Sequence, residues 1–299
     1  MSILKVLIKA LITLPSKILI SVFFFYEHII HRASPKLYGL LRHDFNNVVD
    51  NDIKEVFYNH SGKLTKFKIY TPNRMCAFRH RTFSSKEPEI LEWINEFGSC
   101  GSFYDIGANI GIYSLYYAKT QQGKVFSFEP SAFNMRQLAK NISINNLTNR
   151  IIIVSNPLSN QTGEAVFVNG NSDEGGSSSA FGVNFGFDGN PIDSEVEYSL
   201  IGFTLDDLFK TNVIKSEPGL IKIDVDGIEH LILEGAENIL ASKNLRSIFI
   251  EINDNFNDQS MNAKRILKQH GFELREKRQS EITKRTKEYC QTFNQIWVR

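Results

Sequence analysis

Apolar residues follow two rhythms along this chain, and the change between them divides it. Over residues 1–26 they run almost without pause, with Lys5, Lys9 and Lys17 as the only charges. Wound at about 100° per residue, Ser2, Lys5, Lys9, Thr13 and Ser16 share one narrow arc, and Ile3, Leu4, Val6, Leu7, Leu11 and Leu14 fill the rest. A broad apolar face with a thin lysine strip suits a helix lying in a membrane interface. Pro15 is expected to break or kink it, and a second apolar run follows over residues 18–26. Spanning a bilayer takes about 20 apolar residues, and Lys17 interrupts the stretch. A signal peptide would end in small residues, where this chain has Phe23-Phe24-Phe25-Tyr26. Up to Arg42 there are six Lys and Arg against one acid, Glu27, an excess that favours anionic lipid on a cytoplasmic membrane face. Residues 1–50 therefore read as a membrane-associating helical segment, peripheral on or anchored to that face; a helix packed against the rest of the chain is the alternative.

Beyond residue 50 the pattern becomes that of an α/β protein. Residues 51–98 hold a small β region and a helix. The hairpin runs through Val56-Phe57-Tyr58 and 65–70 about a Ser61-Gly62 turn. Ile90, Leu91, Ile94 and Phe97 then repeat at helical spacing over 87–97. From residue 99 to 299 strands and helices alternate. Strands are expected at 103–106, 124–128, 150–154, 220–223, 247–252, 272–275 and 293–298, seven in all, with helices near 112–119, 134–145, 229–241 and 262–269. Such alternation predicts a mostly parallel sheet with helices on both faces. A long insertion at about 163–203 interrupts it, and residues 170–189 contain six glycines and four serines. Loops of that length in compact domains are functional or disordered, so it reads as a flexible lid or an acceptor contact.

Hydrophobic content of 42% and charged content of 22% support a sizeable core, excluding a disordered chain or a polytopic membrane protein. Lys and Arg number 34 against 33 Asp and Glu, so no whole-molecule charge argues for nucleic acid. Residues 264–287, with nine basic and three acidic side chains, read as a solvated face. Cys76, Cys100 and Cys290 are too far apart for a zinc motif or a disulfide framework, so a reducing, cytoplasmic setting is expected.

The sharpest chemical signal is Asp105-Ile-Gly107-Ala-Asn109-Ile-Gly111, directly after a strand and opening a helix. Glycines there let backbone approach a ligand, and a helix start presents free N–H groups. The spacing is Gly-x-x-x-Gly, unlike the dinucleotide fingerprint GxGxxG. Asp105 sits where it could pair an ammonium group. Glu129, 24 residues on and ending the next strand, can accept both hydroxyls of a ribose. A ligand with an amino-acid end and a ribose end fits both, and S-adenosylmethionine is such a ligand.

At these residues the chain resembles the FkbM family of S-adenosylmethionine-dependent methyltransferases. The likeness covers about residues 72–299. It is carried by Lys86-Glu-Pro-Glu-Ile-Leu-Glu-Trp93, the Asp105–Gly111 loop, Phe128-Glu129-Pro130, Thr204-Leu-Asp206-Asp207, Lys222-Ile-Asp224-Val-Asp226-Gly227-Ile-Glu229, Leu233-Glu-Gly235-Ala236 and the closing Asn294–Arg299 segment. Asp226 stands where many relatives have Glu. The resemblance implies the class I Rossmann-like fold, seven strands with the last antiparallel, which agrees with the independent strand count. It implies that Asp105, Gly107, Asn109, Gly111, Glu129 and Asn156 hold the cofactor, Asn156 lying in the run after the third strand. It also implies O-methylation of a hydroxyl on a saccharide or lipid-linked glycan.

Ligands of doubly wound sheets sit beyond the carboxyl ends of the strands. Asp224 and Glu251 end the fourth and fifth strands, so both are expected to face the transferred methyl group. Asp224 is the first candidate for the base or acceptor-positioning group, and Glu229 follows it in the next helical turn, where capping is its plainer role. His230 reads as a packing residue. Lys222, inside an apolar strand, needs a carboxylate on a neighbouring one. Asp224, Glu251 and Asn253 are residue types that a Mg²⁺ ion accepts, but no metal is assigned. Thr204 reads as a helix cap. Arg79, His80 and Arg81 are basic residues within reach of an acidic or sugar acceptor, or simply solvated. Two other functions stay open: a nicotinamide-dependent oxidoreductase, disfavoured by the missing third glycine and by Asp105, and a non-catalytic membrane-associated module that keeps the nucleotide fold.

Overall fold

A computed structural model describes residues 3–279, 284 and 290–299, without the side chains of residues 3–13. The predicted lysine strip of Lys5 and Lys9, and much of the basic run after residue 279, therefore lie outside what is described. Two compact units divide at Asp52 and Ile53.

The first unit is a pair of helices, α1 (Ile3–Ala33) and α2 (Pro35–Asp50). Ser34 joins them: it caps α2 by accepting a hydrogen bond from the Leu37 N–H, and Pro35 occupies the first helical position, where a missing N–H costs nothing. α2 folds back along α1, with the Phe23 and Phe45 rings 4.8 Å apart and Arg42 3.0 Å from Glu27. Of the break or kink expected at Pro15, the break does not occur: α1 runs through it. A proline inside a helix removes one bond of the ladder. Phe23, Glu27 and Ile30 form the more buried face of α1, whereas Leu14, Ile18, Val22, Phe25 and Ile29 form an exposed stripe. Among the described residues no helix is long and apolar enough to cross a membrane.

The second unit opens with the hairpin of β1 (Ile53–His60) and β2 (Lys63–Tyr70). Ser61 and Gly62 both have positive φ, the geometry a two-residue hairpin turn needs. The backbone N–H groups of Lys68 and Tyr70 donate to the side chains of Asn145 and Asn141, so this edge is bonded rather than bare. Next come α3 (Arg74–Thr82), a helix absent from the sequence reading, and α4 (Pro88–Phe97). The core then alternates: β3 (Ser102–Ile106), α5 (Ile112–Thr120), β4 (Val125–Phe128), α6 (Ala132–Ile144), β5 (Ile151–Val154). After the insertion it resumes with α7 (Leu205–Lys210), β6 (Pro218–Ile223), α8 (Glu229–Glu234), α9 (Glu237–Ala241), β7 (Ser247–Asn253), α10 (Asn257–Gln269), β8 (Glu273–Arg278) and β9 (Thr292–Val298).

All seven predicted core strands are present, in the order β8-β9-β7-β6-β3-β4-β5. β9 runs antiparallel to both its neighbours, and the pairings from β7 across to β5 are parallel. This is the expected class I methyltransferase sheet. Alternate residues of one strand enter different cores: Phe103, Leu220 and Phe249 pack on one face, Tyr104, Ile221 and Ile250 on the other. Both faces are apolar, and that is why these strands read as continuous hydrophobic runs.

Two stretches differ from expectation. The single helix predicted over 229–241 is two: α8 ends at Glu234 with Gly235 as its C-cap, at a place where a Cβ would lie 2.3 Å from the Ser159 carbonyl oxygen. Asp206 then supplies a fresh N-terminal acceptor for α9, taking the N–H groups of Asn238 and Ile239. The insertion is not a bare loop. It carries βA (Gly163–Asn169), βB (Ser179–Phe181) and βC (Val196–Gly202) as a three-stranded antiparallel sheet with βA in the middle.

Candidate active site

The carboxyl ends of β7, β6, β3, β4 and β5 lie side by side in that order. Residues at or just beyond them line a cavity of about 330 Å³: Glu251 and Asp224, then Gly107 and Asn109, then Glu129, then Asn156 and Pro157. The loop after β3 explains its glycines. Gly107 has φ +77°, and a Cβ there would lie 1.8 Å from the Asp224 carbonyl oxygen, so only glycine lets β6 pass. The N–H groups of Gly107 and Ala108 both donate to the Phe128 carbonyl.

Glu129 joins this loop to the next. One carboxylate oxygen accepts from the Asn109 N–H at 2.7 Å, the other from the Ser131 N–H at 2.9 Å. Burial pushes the carboxyl up to about 7 despite these donors. Beyond it the lining is apolar: Phe128, Pro130, Pro157, Leu158 and, from the insertion, Phe167 and Phe181. A carboxylate with lone pairs to spare beside a flat apolar slot can hold a nucleoside by its hydroxyls and its base.

Charge gathers at the other end. Lys222 is 2% exposed, and its ammonium lies 3.4 Å from Asp105 and 3.3 Å from Asp224, with the Gly107 carbonyl at 3.0 Å. Burial acts to lower this lysine, but Asp224 and Asp105 outweigh it and keep it charged. Glu87 accepts from Lys86 at 2.8 Å and from the Tyr113 hydroxyl at 2.6 Å. These partners overcome desolvation and bring it down to about 2. Glu251 faces the cavity, raised well above the carboxylate range by burial and by Asp224.

The Gly175–Ser179 segment of the insertion closes over these groups. Gly176 accepts from the side chains of Asn109 and Asn134, Gly175 donates to Asn134, and Asp226 accepts from the N–H groups of Ser178 and Ser179 at 2.7 and 3.3 Å. Asp226 has φ +63° and Gly227 φ +130°, a strained turn that aims the carboxylate at the segment.

A model described as the methyltransferase FkbM domain matches residues 105–274, more than half of the 299. The chain belongs to the FkbM methyltransferase family. That match contains every site residue predicted from the sequence. Among solved structures, one similar chain is the methyltransferase FkbM from Methylobacillus flagellatus, 16% identical, with a TM-score of 0.45 over 68% of this chain and 44% of that one. The protein thus spans less than half the length of that relative. A precorrin-6y C5,15-methyltransferase from Geobacter metallireducens is 13% identical, with 70% of this chain and 85% of that one covered and a TM-score of 0.43. An rRNA methylase from Streptococcus thermophilus is also 13% identical, with 70% and 92% covered and a TM-score of 0.42. No curated protein matches the sequence.

Within this FkbM chain, six of the nine predicted residues line the cavity: Gly107, Asn109, Glu129, Asn156, Asp224 and Glu251. Three do not. Asp105, expected to pair a ligand's ammonium group, is wholly buried beneath the floor, where Lys222 and the Ser114 hydroxyl at 2.5 Å take its oxygens. Gly111 faces α6, and a Cβ there would lie 2.3 Å from Leu138 Cδ1. Glu229 turns back into its own loop, accepting from the N–H groups of Val225 and Gly227 and from Gln259. Burial pushes it up to about 7. Lys222 finds its predicted carboxylate on the neighbouring strand. His230 is buried with its ring 6.0 Å from that of Phe256, and Thr204 caps α7 through the Asp207 N–H. The sequence reading gave no role to Glu87 or Tyr113; Glu87 is the N-cap residue of α4, before the sheet begins, and Tyr113 lies in the first turn of α5, the helix that leads out of β3. Among the described residues no three His, Cys, Asp or Glu side chains converge as a metal-binding group.

Proposed function

We propose that this protein is an S-adenosylmethionine-dependent O-methyltransferase acting on a hydroxyl of a saccharide or lipid-linked glycan. The observation that carries the cofactor half is Glu129. Each of its oxygens already holds one backbone N–H, and the carboxylate lines the cavity with acceptor capacity beyond those two bonds for the ribose hydroxyls. The apolar slot beside it suits an adenine, with Asn156 and Pro157 at its rim. Asp105 is spent on Lys222 beneath the floor and is closed to the cofactor's ammonium group. When bound, S-adenosylmethionine supplies a methyl group made electrophilic by its sulfonium.

The chain's own residues then align and deprotonate. Asp224 is the base or positioning group: Lys222 fixes its carboxylate from behind at 3.3 Å, and its side chain keeps 29% exposure toward the cavity. Fixed orientation of an acceptor hydroxyl and removal of its proton are the tasks such a transfer requires. Glu251, on the adjoining strand and raised by burial, is suited to donate a hydrogen bond to the acceptor rather than to take its proton. The glycan acceptor is supported by membership of the FkbM family and by the apolar first unit. We also assign that unit to the cytoplasmic membrane face, on the exposed stripe of α1.

The test is methyl-labelled S-adenosylmethionine with a panel of neutral, acidic and lipid-linked saccharides. Label should appear as alkali-stable methyl ethers, and Asp224→Asn should lower transfer at least about 100-fold while S-adenosylhomocysteine still binds. Full transfer by that variant would remove Asp224 from the chemistry, and alkali-labile label alone would rule out an ether product.

A further inference from the structure

Arg79 projects from α3 into the cavity from outside the seven-stranded core. Its Nε donates to the Gly175 carbonyl at 2.7 Å, which fixes the side chain and leaves the end of the guanidinium, with both Nη groups, uncommitted. Among the described residues no carboxylate lies within ion-pair distance of it. The acids around it already have donors: Glu129 and Asp226 each hold two backbone N–H groups, and Glu87 holds Lys86 and Tyr113. A half-buried cation facing a cavity without a partner is costly unless something brought into the cavity completes it. The free edge is a planar pair of donors, the arrangement that matches a carboxylate end-on through two parallel hydrogen bonds.

From this geometry we propose that Arg79 binds a carboxylate delivered to the cavity, borne either by the amino-acid half of the cofactor or by a uronic acid in the acceptor. The inference rests on the cavity being a methyl-transfer site. His80 and Arg81, which neighbour Arg79 in sequence, do not line it. His80 meets the Glu55 carbonyl instead. Helix α3 therefore selects one basic residue of three.

Calorimetry on the full chain tests this with Arg79→Gln and four probes. S-adenosylhomocysteine is compared with 5′-methylthioadenosine, which has the nucleoside but no amino acid. Methyl glucuronide is compared with methyl glucoside on protein saturated with S-adenosylhomocysteine. If the cofactor bears the carboxylate, the variant binds S-adenosylhomocysteine at least about tenfold more weakly and 5′-methylthioadenosine unchanged. If the acceptor bears it, both nucleosides bind as before, and the wild type's preference for the glucuronide disappears in the variant. A variant that matches the wild type with all four probes overturns the proposal, as does one that weakens both nucleosides equally. Arg79→Lys keeps the charge and loses the fork, so it replaces the glutamine variant if that does not fold, with the same outcomes expected. A wild type that binds no S-adenosylhomocysteine, in a folded state, instead defeats the methyl-transfer reading and the proposal with it.

Discussion

Glu129 and Glu229 are carboxyls whose burial pushes each up to about 7 from an ordinary 4.5, one facing the cavity and one beneath its rim. Both bind a proton more tightly in the folded chain than in the unfolded one. Between pH 4.5 and 7 the folded protein therefore keeps protons that the unfolded chain has released, and stability falls as pH rises through that window. The loss is at most about 3 kcal/mol per group and levels off above it. Denaturant midpoints of the cofactor-free protein should show this descent, and Glu229→Gln should make it shallower. A Glu229→Gln variant with the same pH slope as the wild type would mean that this carboxyl is not desolvated as described. Residue chemistry was legible in the sequence where it depended on the end of a strand: Asp224, Glu251 and Glu129 lie where the strand pattern put them. It was not legible for Asp105. Whether an acid near the end of a strand faces a ligand or a buried lysine depends on the neighbouring strand, and the register that pairs Asp105 with Lys222 is a long-range fact.

At the scale of elements, the seven core strands and most helices could be read from apolar periodicity, since each buries a regular face. α3 could not. Its sequence, Arg-Met-Cys-Ala-Phe-Arg-His-Arg-Thr, is too basic to show an apolar stripe, and it is held by the Asn73 cap and by its contacts with the insertion. The insertion itself looked like loop because its glycine- and serine-rich middle, which holds only βB, separates the two longer strands βA and βC that pair across it. Its closure over the cavity depends on Asp226, which accepts two N–H groups of the Gly175–Ser179 segment. Asp226→Ala should speed hydrogen exchange of the Ser178 and Ser179 amides about 10- to 100-fold, as loss of a bond to a charged acceptor implies. Exchange unchanged at those two amides would show that the segment is held by its asparagine contacts alone.

For the whole molecule, the first unit exposes more apolar surface than a pair of solvated helices has reason to, with Leu14, Ile18, Val22, Phe25 and Ile29 on one face of α1. The full chain should sediment with vesicles containing anionic lipid, and deletion of residues 1–52 should abolish this while nucleotide binding by the second unit persists. Equal sedimentation of the two forms would refute the membrane assignment. The central claim concerns the second unit, in which five strand ends, a glycine loop and one ribose-facing carboxylate form a cofactor site. Its most direct test is calorimetric titration of the full chain with S-adenosylhomocysteine, beside a Glu129→Ala variant shown to be folded by circular dichroism. The account predicts one micromolar site in the wild type and none in the variant. A folded wild type that takes up no S-adenosylhomocysteine, or a variant that binds it equally well, would contradict it.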